Sequence, residues 1–279
     1  MYPDPNLPIF DHALTLGLKE VQVYLLEDAL ELWAAIIIQT PEPPSTELLS
    51  LVPLLFPIFE LGTENLRKAL EITESYILLA PRQMLEDPVR KNFFAAFTVL
   101  LGNLKQDSNG VVTHLVEIFT RAAETIGGEA AVEMVASGLV ETGFMRRLLE
   151  GLRESWEAHQ TTGPDRRHTN IEGVVETDYW SVLARIALAS PSVFVTTMRA
   201  VAAIRAEGVE SLLQWALTEW FSHFGNMGEP HKKKLMCLAL TNLLETGQAW
   251  ILDRLQDLIT VWTDVITELQ EGAEDVGGE

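Results

Sequence analysis

Residues 21–38 read VQVYLLEDALELWAAIII, and this stretch decides the fold class of the whole chain. It contains no Gly or Pro, and its apolar residues recur at three- and four-residue steps, the period of an α-helix. The polar remainder is a narrow strip of Glu27, Asp28 and Glu31. A helix that is apolar on most of its sides has to be covered by more than one neighbour. The stretch therefore predicts a helix inside an array of other helices.

The rest of the chain repeats a unit of helix, turn and returning helix. Pro41 and Pro43 end the first helix, because proline lacks the amide hydrogen that a helix needs. Later breaks include a predicted turn over residues 106–110 (QDSNG) and a predicted helix end at Gly138, and no segment alternates like a strand. Helical hairpins that recur every ~40–47 residues are typical of HEAT or armadillo repeats. We predict an all-α HEAT-repeat solenoid, an α-α superhelix, of about six helical hairpins. The alternative is a single irregular helical bundle.

The predicted array covers residues 21–271. Residues 1–20 are rich in proline at first and lead into the array. Residues 161–173, which read TTGPDRRHTNIEG, are the longest polar interval and predict a long loop. Residues 272–279 are acidic and rich in Gly, which predicts a disordered tail.

The last predicted helix, about residues 248–271, has one apolar side and one polar side. Its apolar stripe consists of Ile251, Leu255, Leu258, Trp262, Val265 and Leu269. The terminal repeat of a solenoid needs a polar outer face, because no further repeat covers it. We therefore predict that this helix caps the array.

The composition favours a folded, acidic protein. A hydrophobic content of 47% is enough for a large core. The formal net charge of −20 argues against broad binding to DNA or RNA, which requires cations that neutralise phosphates. It favours basic partners, although an acidic surface can also serve solubility alone. We expect no nucleic-acid partner.

The cysteine count and the hydropathy pattern indicate the compartment. Cys237 is the single cysteine and lies in an apolar run, so a disulfide within the chain is impossible and we expect a buried, inert thiol. The reducing cytosol or nucleus is the expected compartment. No apolar stretch approaches the roughly 20 residues of a membrane helix, so we expect no membrane partner.

The chain lacks the spacing patterns of common catalytic and metal sites. There is no phosphate-binding G-x-x-x-x-G-K-[ST], no H-E-x-x-H and no G-x-S-x-G. The 6 His residues show no metal-ligand spacing, and one Cys cannot form the usual structural zinc site. We expect no enzymatic activity, no metal and no cofactor.

Charged residues are the candidates for contacts with partners. The acidic strip of the first helix could bind a basic segment. The basic run 232–234 lies at a predicted helix start, an unfavourable place for cations, so it could bind an acidic peptide or form internal ion pairs. The partner-binding candidates are Glu27, Asp28, Glu31, Arg90, Lys91, Arg199, Lys232, Lys233 and Lys234. Exposed or internally paired charges without a partner are the alternative for each.

Short segments of the chain resemble the C-terminal part of importin-β-type (karyopherin-β) nuclear transport receptors, in particular the importin-eleven type and its fungal counterparts. These segments are Tyr24–Asp28 (YLLED), Glu31–Trp33 (ELW), Glu47–Leu49 (ELL), Glu64–Arg67 (ENLR) and Lys233–Leu235 (KKL). Each is a weak motif alone. Their order and rough spacing agree over nearly the whole chain, with a loose match over about residues 105–175.

The resemblance implies a HEAT-repeat superhelix without enzymatic activity that shuttles between nucleus and cytoplasm. Such receptors carry protein cargo, bind Ran in its GTP form and contact the Phe-Gly repeats of nucleoporins. The main Ran-GTP contacts of the family lie in N-terminal repeats, which we expect to be missing from this chain. The expected partners are therefore a basic protein cargo and nucleoporin Phe-Gly repeats. The alternative function is a HEAT-repeat scaffold or adaptor of another multiprotein assembly.

Overall fold

The structure is a computed structural model that describes residues 23–60, 63–103, 106–160, 169, 171 and 173–276. This described part contains α-helices, short 3-10 turns and no strand, which confirms the all-α expectation. The helices are α1 (Val23–Gln39), α2 (Thr46–Ser50), α3 (Leu55–Phe59), α4 (Thr63–Leu79), α5 (Pro81–Met84), α6 (Val89–Asn103), α7 (Gln106–Glu141), α8 (Phe144–Gln160), α9 (Val174–Ala189), α10 (Pro191–Arg205), α11 (Val209–Phe224), α12 (Pro230–Asn242), α13 (Ala249–Leu252) and α14 (Leu255–Val276).

The helices form two layers. In one layer α1, α4, α7, α9, α12 and α14 stand in a row, and each helix packs on the next. In the other layer α3 packs on α4 and α6, α6 packs on α7 and α8, and α10 packs on α7, α9 and α11. An open row of stacked hairpins is the arrangement of an α-solenoid, whereas a bundle gathers its helices round one axis. The predicted HEAT-type solenoid is confirmed.

One hydrophobic core runs along the row between the two layers. Trp33 on α1, Tyr76 on α4, Phe119 on α7 and Trp220 on α11 are all fully buried members of it. Burial of apolar surface contributes roughly 25 cal/mol per Å² to the free energy of unfolding. The buried contacts of these side chains therefore hold neighbouring helices together. Because every helix depends mainly on its neighbours, a local change at one interface weakens that interface first.

The prediction of a turn at residues 106–110 was wrong. Helix α7 begins at Gln106, and these polar residues form its first turns. Asn109 is buried there, and a Cβ at Gly110 would lie 2.9 Å from a carboxylate oxygen of Asp178 on α9. Gly110 thus lets α7 and α9 approach each other. In the sequence, a glycine with this packing role looks the same as a glycine in a turn.

The predicted helix end at Gly138 was also wrong. Helix α7 bends at Gly128, where φ is +58° and ψ is −147°, and then continues through Gly138 to Glu141. A Cβ at position 138 would lie 3.1 Å from Cδ2 of Phe94, so this glycine allows α6 to pack closely on α7. Gly128 therefore supplies a backbone conformation, and Gly138 supplies space.

The last helix differs from the predicted cap. Leu258 and Val265 of the predicted apolar stripe are buried, but Leu255 and Leu269 are 43% and 54% exposed. The helix turns only half of its apolar side toward α12. It also begins later than predicted, at Leu255 after the separate short helix α13, and it extends to Val276.

Some predictions lie outside the described residues. These are the segment over residues 1–20, most of the loop over 161–173 and the end of the tail. On α1 the residues that face α4 are buried, whereas Leu32 and Ile38 are 49% and 71% exposed. Leu32 and Ile38 lie on different flanks of that buried face. The prediction that α1 is covered by more than one neighbour stays a prediction. In the described residues, each helix is either too short or too polar to span a membrane.

Candidate partner-binding surfaces

A groove opens where the beginnings of α10 and α11 meet the turn that follows α12, and we call it the Glu129 groove. Its volume is about 710 Å³. Three carboxylates line it, those of Glu129, Glu210 and Glu245, together with the guanidinium of Arg199 and the indole of Trp250. The groove therefore has an excess of negative charge and suits a basic segment.

The beginning of α10 holds the Glu129 carboxylate in place. Ser190 caps α10, because its hydroxyl oxygen accepts a hydrogen bond from the backbone N–H of Val193 at 3.2 Å. The hydroxyls of Ser192 and Ser190 both donate to Oε1 of Glu129, the latter at 3.1 Å. Hydrogen bonds from Ser192 and then Ser190 lower the pKa of Glu129, so this carboxylate keeps its negative charge.

A smaller hollow extends the Glu129 groove along α10. Its volume is about 220 Å³, and it shares Thr196 with the groove. Ala136 and Val140 of α7 line it together with Glu133 and Glu141. The combined surface runs along one helix, with small apolar residues between carboxylates. Such a surface suits an extended peptide with cationic side chains.

A second groove lies between α3 and α6, and we call it the Phe56 groove. Its volume is about 750 Å³, and Phe56, Phe59, Ala95, Val99 and Leu100 are among its lining residues. The ring of Phe56 is half-buried, with its centroid 4.9 Å from that of the buried Phe93. Val99 is 64% exposed at the edge of the groove. A mostly apolar groove with an aromatic floor suits an apolar or aromatic side chain.

The structure separates the predicted partner-binding residues. Glu27, Asp28 and Glu31 are exposed on α1 and lie outside the lining of both grooves. Arg199 is exposed and lines the Glu129 groove. The ammonium of Lys91 lies 2.9 Å from the carboxylate of Glu141, at the far end of the hollow.

The structure places the other cations differently from the prediction. Arg90 is 3% exposed, and its Nη2 donates to Asp87 at 2.9 Å, so it lies inside the protein and not on a partner-binding surface. Lys232 and Lys233 form internal ion pairs, with Asp178 at 2.6 Å and with Glu268 respectively. Lys234 is exposed. For Lys232 and Lys233 the alternative of internal pairing is thus the one observed.

A buried charge network joins the middle helices. Asp178 of α9 lies beside Lys232 of α12, and Glu117 of α7 lies 3.8 Å from Arg185 of α9. Burial raises the pKa of Glu117 to about 7, although Arg185 acts in the opposite direction, and burial also raises the pKa of Asp178. These charges lie between packed helices, so their role is structural.

A buried histidine belongs to the same part of the molecule. His223 of α11 shares a hydrogen bond between its Nε2 and the hydroxyl of Thr177 at 2.9 Å, and its Nδ1 lies 3.4 Å from the carboxylate of Glu176. Burial lowers the pKa of His223. Among the residues that the structure describes, no group of His, Cys, Asp and Glu has the geometry to hold a metal ion. Burial raises the pKa of the Cys237 thiol, as expected for an inert cysteine.

A solenoid of helical hairpins with open grooves defines the class of helical-repeat proteins that bind partners along an extended surface. The family described as "Importin-11-like, TPR repeats" matches residues 4–279 of this chain. The chain belongs to the importin-11-like family. TPR and HEAT repeats are both helical hairpins, so this description agrees with the observed architecture.

Relatives of known identity are nuclear transport receptors by name. Importin-11 of Mus musculus is 26% identical over 250 residues, which cover 88% of this chain and 23% of that protein, and Importin-11 of Homo sapiens matches to the same extent. Importin beta-like protein KAP120 of Saccharomyces cerevisiae is 23% identical over 284 residues, which cover 93% of this chain and 26% of that protein. The chain thus spans about a quarter of the length of these relatives.

A solved structure supports the fold. The structure of Lph2, a bidirectional nuclear transport receptor in S. cerevisiae, superposes with a TM-score of 0.74 at 21% identity. The match covers 94% of this chain and 27% of that chain. The resemblance to importin-β-type receptors inferred from short sequence segments is confirmed.

Proposed function

We propose that this chain is the C-terminal part of an importin-β-like nuclear import receptor and that it holds a basic segment of a protein cargo in the Glu129 groove. The observation that carries the proposal is an acidic groove of about 710 Å³ on a solenoid of the importin-11-like family. Binding uses shape and charge, and no catalytic step is required.

The groove favours a peptide whose cations are spaced along an extended backbone. Glu129, Glu210 and Glu245 come from three separate elements, α7, α11 and the turn after α12, so they surround the groove. Arg199 also lines the groove, and its positive charge would repel a Lys or Arg of the peptide placed next to it. We expect a segment in which Lys or Arg alternates with small apolar residues.

Peptide binding to charge-reversed variants tests this proposal. A labelled peptide of alternating Lys and Ala would be titrated with the full chain, with fluorescence anisotropy as the readout. Glu210→Lys/Glu245→Lys should weaken binding by about tenfold, because each reversal turns a surface attraction of about 1 kcal/mol or less into a repulsion. The matched control is Glu27→Lys/Glu31→Lys, which changes the net charge equally on the exposed face of α1.

Two results would contradict the groove proposal. Equal weakening by the α1 control would mean that net charge alone, or the acidic strip, attracts the peptide. An affinity that stays constant between about 50 mM and about 300 mM salt would exclude an electrostatic contact, because surface attractions are screened over that range.

We infer a second contact, between the Phe56 groove and the Phe-Gly repeats of nucleoporins. The observation that favours it is the open apolar floor beside Phe56 and Phe59, which offers an edge or tilted partner for an incoming phenylalanine ring. Ala95 is exposed on the wall of this groove, so a larger side chain there would fill the groove without disturbing the core.

A groove-filling variant tests the second contact. Ala95→Trp should reduce retention of the full chain on immobilised Phe-Gly repeats by at least about fivefold, because the bulky ring occupies the space for phenylalanine. Ala35→Trp, at an exposed position of α1, is the matched control and should be retained like the wild type. Equal retention of both variants would place the contact elsewhere. Failure of the wild type to bind would favour the scaffold alternative.

The remaining partners follow from the same proposal. Ran-GTP would contact repeats of the longer receptor that lie outside this chain. Shuttling between nucleus and cytoplasm would then depend on the whole receptor. Crosslinking of the full-length receptor in nuclear extract, with and without Ran-GTP, would test both points. If the crosslinks between cargo and the Glu129 groove stayed unchanged when Ran-GTP is added, release of cargo from this groove by Ran-GTP would be contradicted.

A further inference from the structure

Arg199 is a cation without a partner among the described residues, although it lies in a groove that contains three carboxylates. It is exposed on α10 and lines the Glu129 groove. Arg205, on the same helix, forms an ion pair with Glu207 at 3.2 Å, whereas the guanidinium of Arg199 forms no ion pair or hydrogen bond with a described residue. A guanidinium stays charged and carries five N–H donors, so those of Arg199 can bind a carboxylate from outside the chain.

The carboxylates of the groove do not neutralise Arg199. Two serine hydroxyls hold the Glu129 carboxylate at the beginning of α10. Glu210 and Glu245 are exposed, and within the described part of the chain neither forms an ion pair. The groove therefore presents one positive and three negative groups to a ligand. A ligand that complements such a groove needs charges of both signs at matching positions.

The helices give the order of these charges along the groove. Ser192 contacts Glu129 at the beginning of α10, and Arg199 lies two helical turns later, roughly 10 Å along the helix axis. Helix α11 follows α10 after a short turn and packs on it, so the two helices are antiparallel. Glu210 is in the first turn of α11 and therefore lies near the end of α10, roughly 9 Å beyond Arg199. Arg199 thus lies between two carboxylates.

This order defines a spacing in an extended ligand. An extended peptide rises about 3.3 Å per residue, so about three residues span the distance from Arg199 to either carboxylate. A peptide carboxylate opposite Arg199 then places the residues three positions before and after it near Glu129 and Glu210. A Lys at these two positions can turn toward the carboxylate from either side of the backbone, because its four-carbon stem is flexible.

We infer that the Glu129 groove selects a cargo segment in which an Asp or Glu lies about three residues from a Lys or Arg on each side, and that Arg199 binds this acidic residue. The inference rests on the proposed binding of a basic cargo segment in the same groove and adds one position that must be acidic. Net charge alone predicts the opposite preference, because a chain with a formal charge of −20 attracts the most basic peptide most strongly.

Three labelled peptides test the inference with the full chain. Each contains Lys-Ala-Ala-X-Ala-Ala-Lys between identical flanks, where X is Glu, Ala or Lys, and the symmetric pattern fits both chain directions. Fluorescence anisotropy is measured at about 150 mM salt, where distant charges are screened. The Glu peptide should bind about threefold more tightly than the Ala peptide and about tenfold more tightly than the Lys peptide, because an exposed attraction is first removed and then replaced by a repulsion.

Charge reversal at Arg199 tests whether this residue causes the preference. Arg199→Glu should reverse the order, so that the Lys peptide binds most tightly. The matched control is Arg82→Glu, which makes the same change of net charge at an exposed position outside the lining of the groove and should keep the wild-type order. Circular dichroism checks that both variants keep the helix content of the wild type, and the comparison of peptides on the wild type needs no variant.

Two outcomes would overturn the inference while the proposed function stands. One is binding of the Ala or Lys peptide to the wild type at least as tightly as the Glu peptide, with Glu210→Lys/Glu245→Lys still weakening all three. The other is an order of affinities that Arg199→Glu leaves unchanged. If no peptide bound, or if Glu210→Lys/Glu245→Lys weakened none of them, the proposed binding of a basic segment would itself fail, and the inference would fail with it.

Discussion

The two sides of helix α7 are joined to the rest of the protein in different ways. Toward α6 the contacts are aromatic: the ring centroid of Phe93 on α6 lies 6.1 Å from that of Phe119 on α7, and also 6.1 Å from that of Phe59 on α3. Toward α9 the apolar packing also contains a charged pair, Glu117 and Arg185 at 3.8 Å. The next interface, between α9 and α12, again contains a buried ion pair. One solenoid thus uses two kinds of helix interface.

The two kinds of interface should respond to different changes in sequence and in pH. An aromatic interface depends on volume and shape, because its stability comes from buried apolar area and close packing. A buried ionic interface depends on having both charges present, because each charge alone is costly to bury. Changes in side-chain size should therefore act on the α3–α6–α7 region, and changes in charge or pH should act on the α7–α9–α12 region.

The largest effect is expected from truncation of the aromatic interface. Phe93→Ala should lower the free energy of unfolding by about 4 kcal/mol, because Phe93 is fully buried and its removal leaves a cavity between three helices. Urea denaturation followed by circular dichroism measures this change. Val99→Ala, at a 64% exposed position of the same helix, should change it by less than about 0.5 kcal/mol. Similar losses for both variants would contradict the packing argument.

The next largest effect is expected from the ion pair between α9 and α12. Lys232→Met should lower the free energy of unfolding by about 3 kcal/mol, because it leaves the Asp178 carboxylate, with 5% of its side chain exposed, without its cation. Asp178→Leu/Lys232→Met removes both charges and should recover most of the loss, as measured by urea denaturation. A double variant as unstable as the single variant would show that size and not charge governs this interface.

An exposed pair provides the control for that prediction. The ammonium of Lys91 lies 2.9 Å from Glu141, but both side chains are about half exposed. Lys91→Met should therefore cost less than about 1 kcal/mol, since solvent screens such pairs. The comparison separates the effect of burial from that of pairing.

The aromatic side of this comparison could be predicted from the sequence, and the ionic side could not. Phe93, Phe94 and Phe97 follow the period of a helix, so their burial follows from the pattern alone. A chain with 40 acidic residues offers many possible partners for each cation, and the pairing of Lys232 with Asp178 joins residues 54 positions apart. Nothing local to either residue selects the other.

The same limit applies to the glycines and to the grooves. Gly138 resembles a helix terminator in the sequence, but its function is close contact with Phe94 of another helix, which only the packed structure reveals. The Glu129 groove collects carboxylates from three elements, so neither Glu129 nor Glu245 stands out in the sequence. Arg199 was predicted from the sequence as a partner-binding candidate, and the structure shows that acidic residues line the groove beside it. Family membership was predictable because it rests on the order of many short segments.

A pH experiment distinguishes the two kinds of interface further. The pKa of Glu117 is about 7 in the folded protein because burial opposes ionisation, and 4.5 is its ordinary value. Between these values the folded state holds more protons at this site than the unfolded state, so stability falls as the pH rises through this range. Between about pH 5 and about pH 8 the wild type should lose about 2 kcal/mol that Glu117→Gln does not lose.

The control for this pH dependence is on the same helix. Glu124 of α7 is exposed, and Glu124→Gln should keep the pH dependence of the wild type in urea denaturation at each pH. A wild type and a Glu117→Gln variant with the same pH dependence would mean that Glu117 is ionised equally in both states. The ionic interface would then depend on its pairing alone.

The smallest effect is expected at a polar contact inside the apolar part of the molecule. The hydroxyl of Tyr76 accepts a hydrogen bond from Nε1 of Trp33 at 2.9 Å and donates one to the carbonyl of Leu48 at 2.7 Å. Tyr76→Phe keeps the ring and removes both bonds, so it should cost about 1.5 kcal/mol. Burial raises the pKa of Tyr76, so the hydroxyl stays protonated and the cost should be equal at about pH 5 and about pH 8.

Tyr179→Phe is the control for Tyr76→Phe, because the structure shows no hydrogen bond of the Tyr179 hydroxyl within the described residues, and burial raises the pKa of Tyr179 to about 12. It should change the free energy of unfolding by less than about 0.5 kcal/mol in the same urea titration. If the loss of unfolding free energy caused by Tyr76→Phe varied with pH, a titrating group would govern this contact, as in the ionic interfaces. A cost that is constant with pH and above that of Tyr179→Phe would show that a neutral hydrogen bond can join two helices of the solenoid without making their interface sensitive to pH.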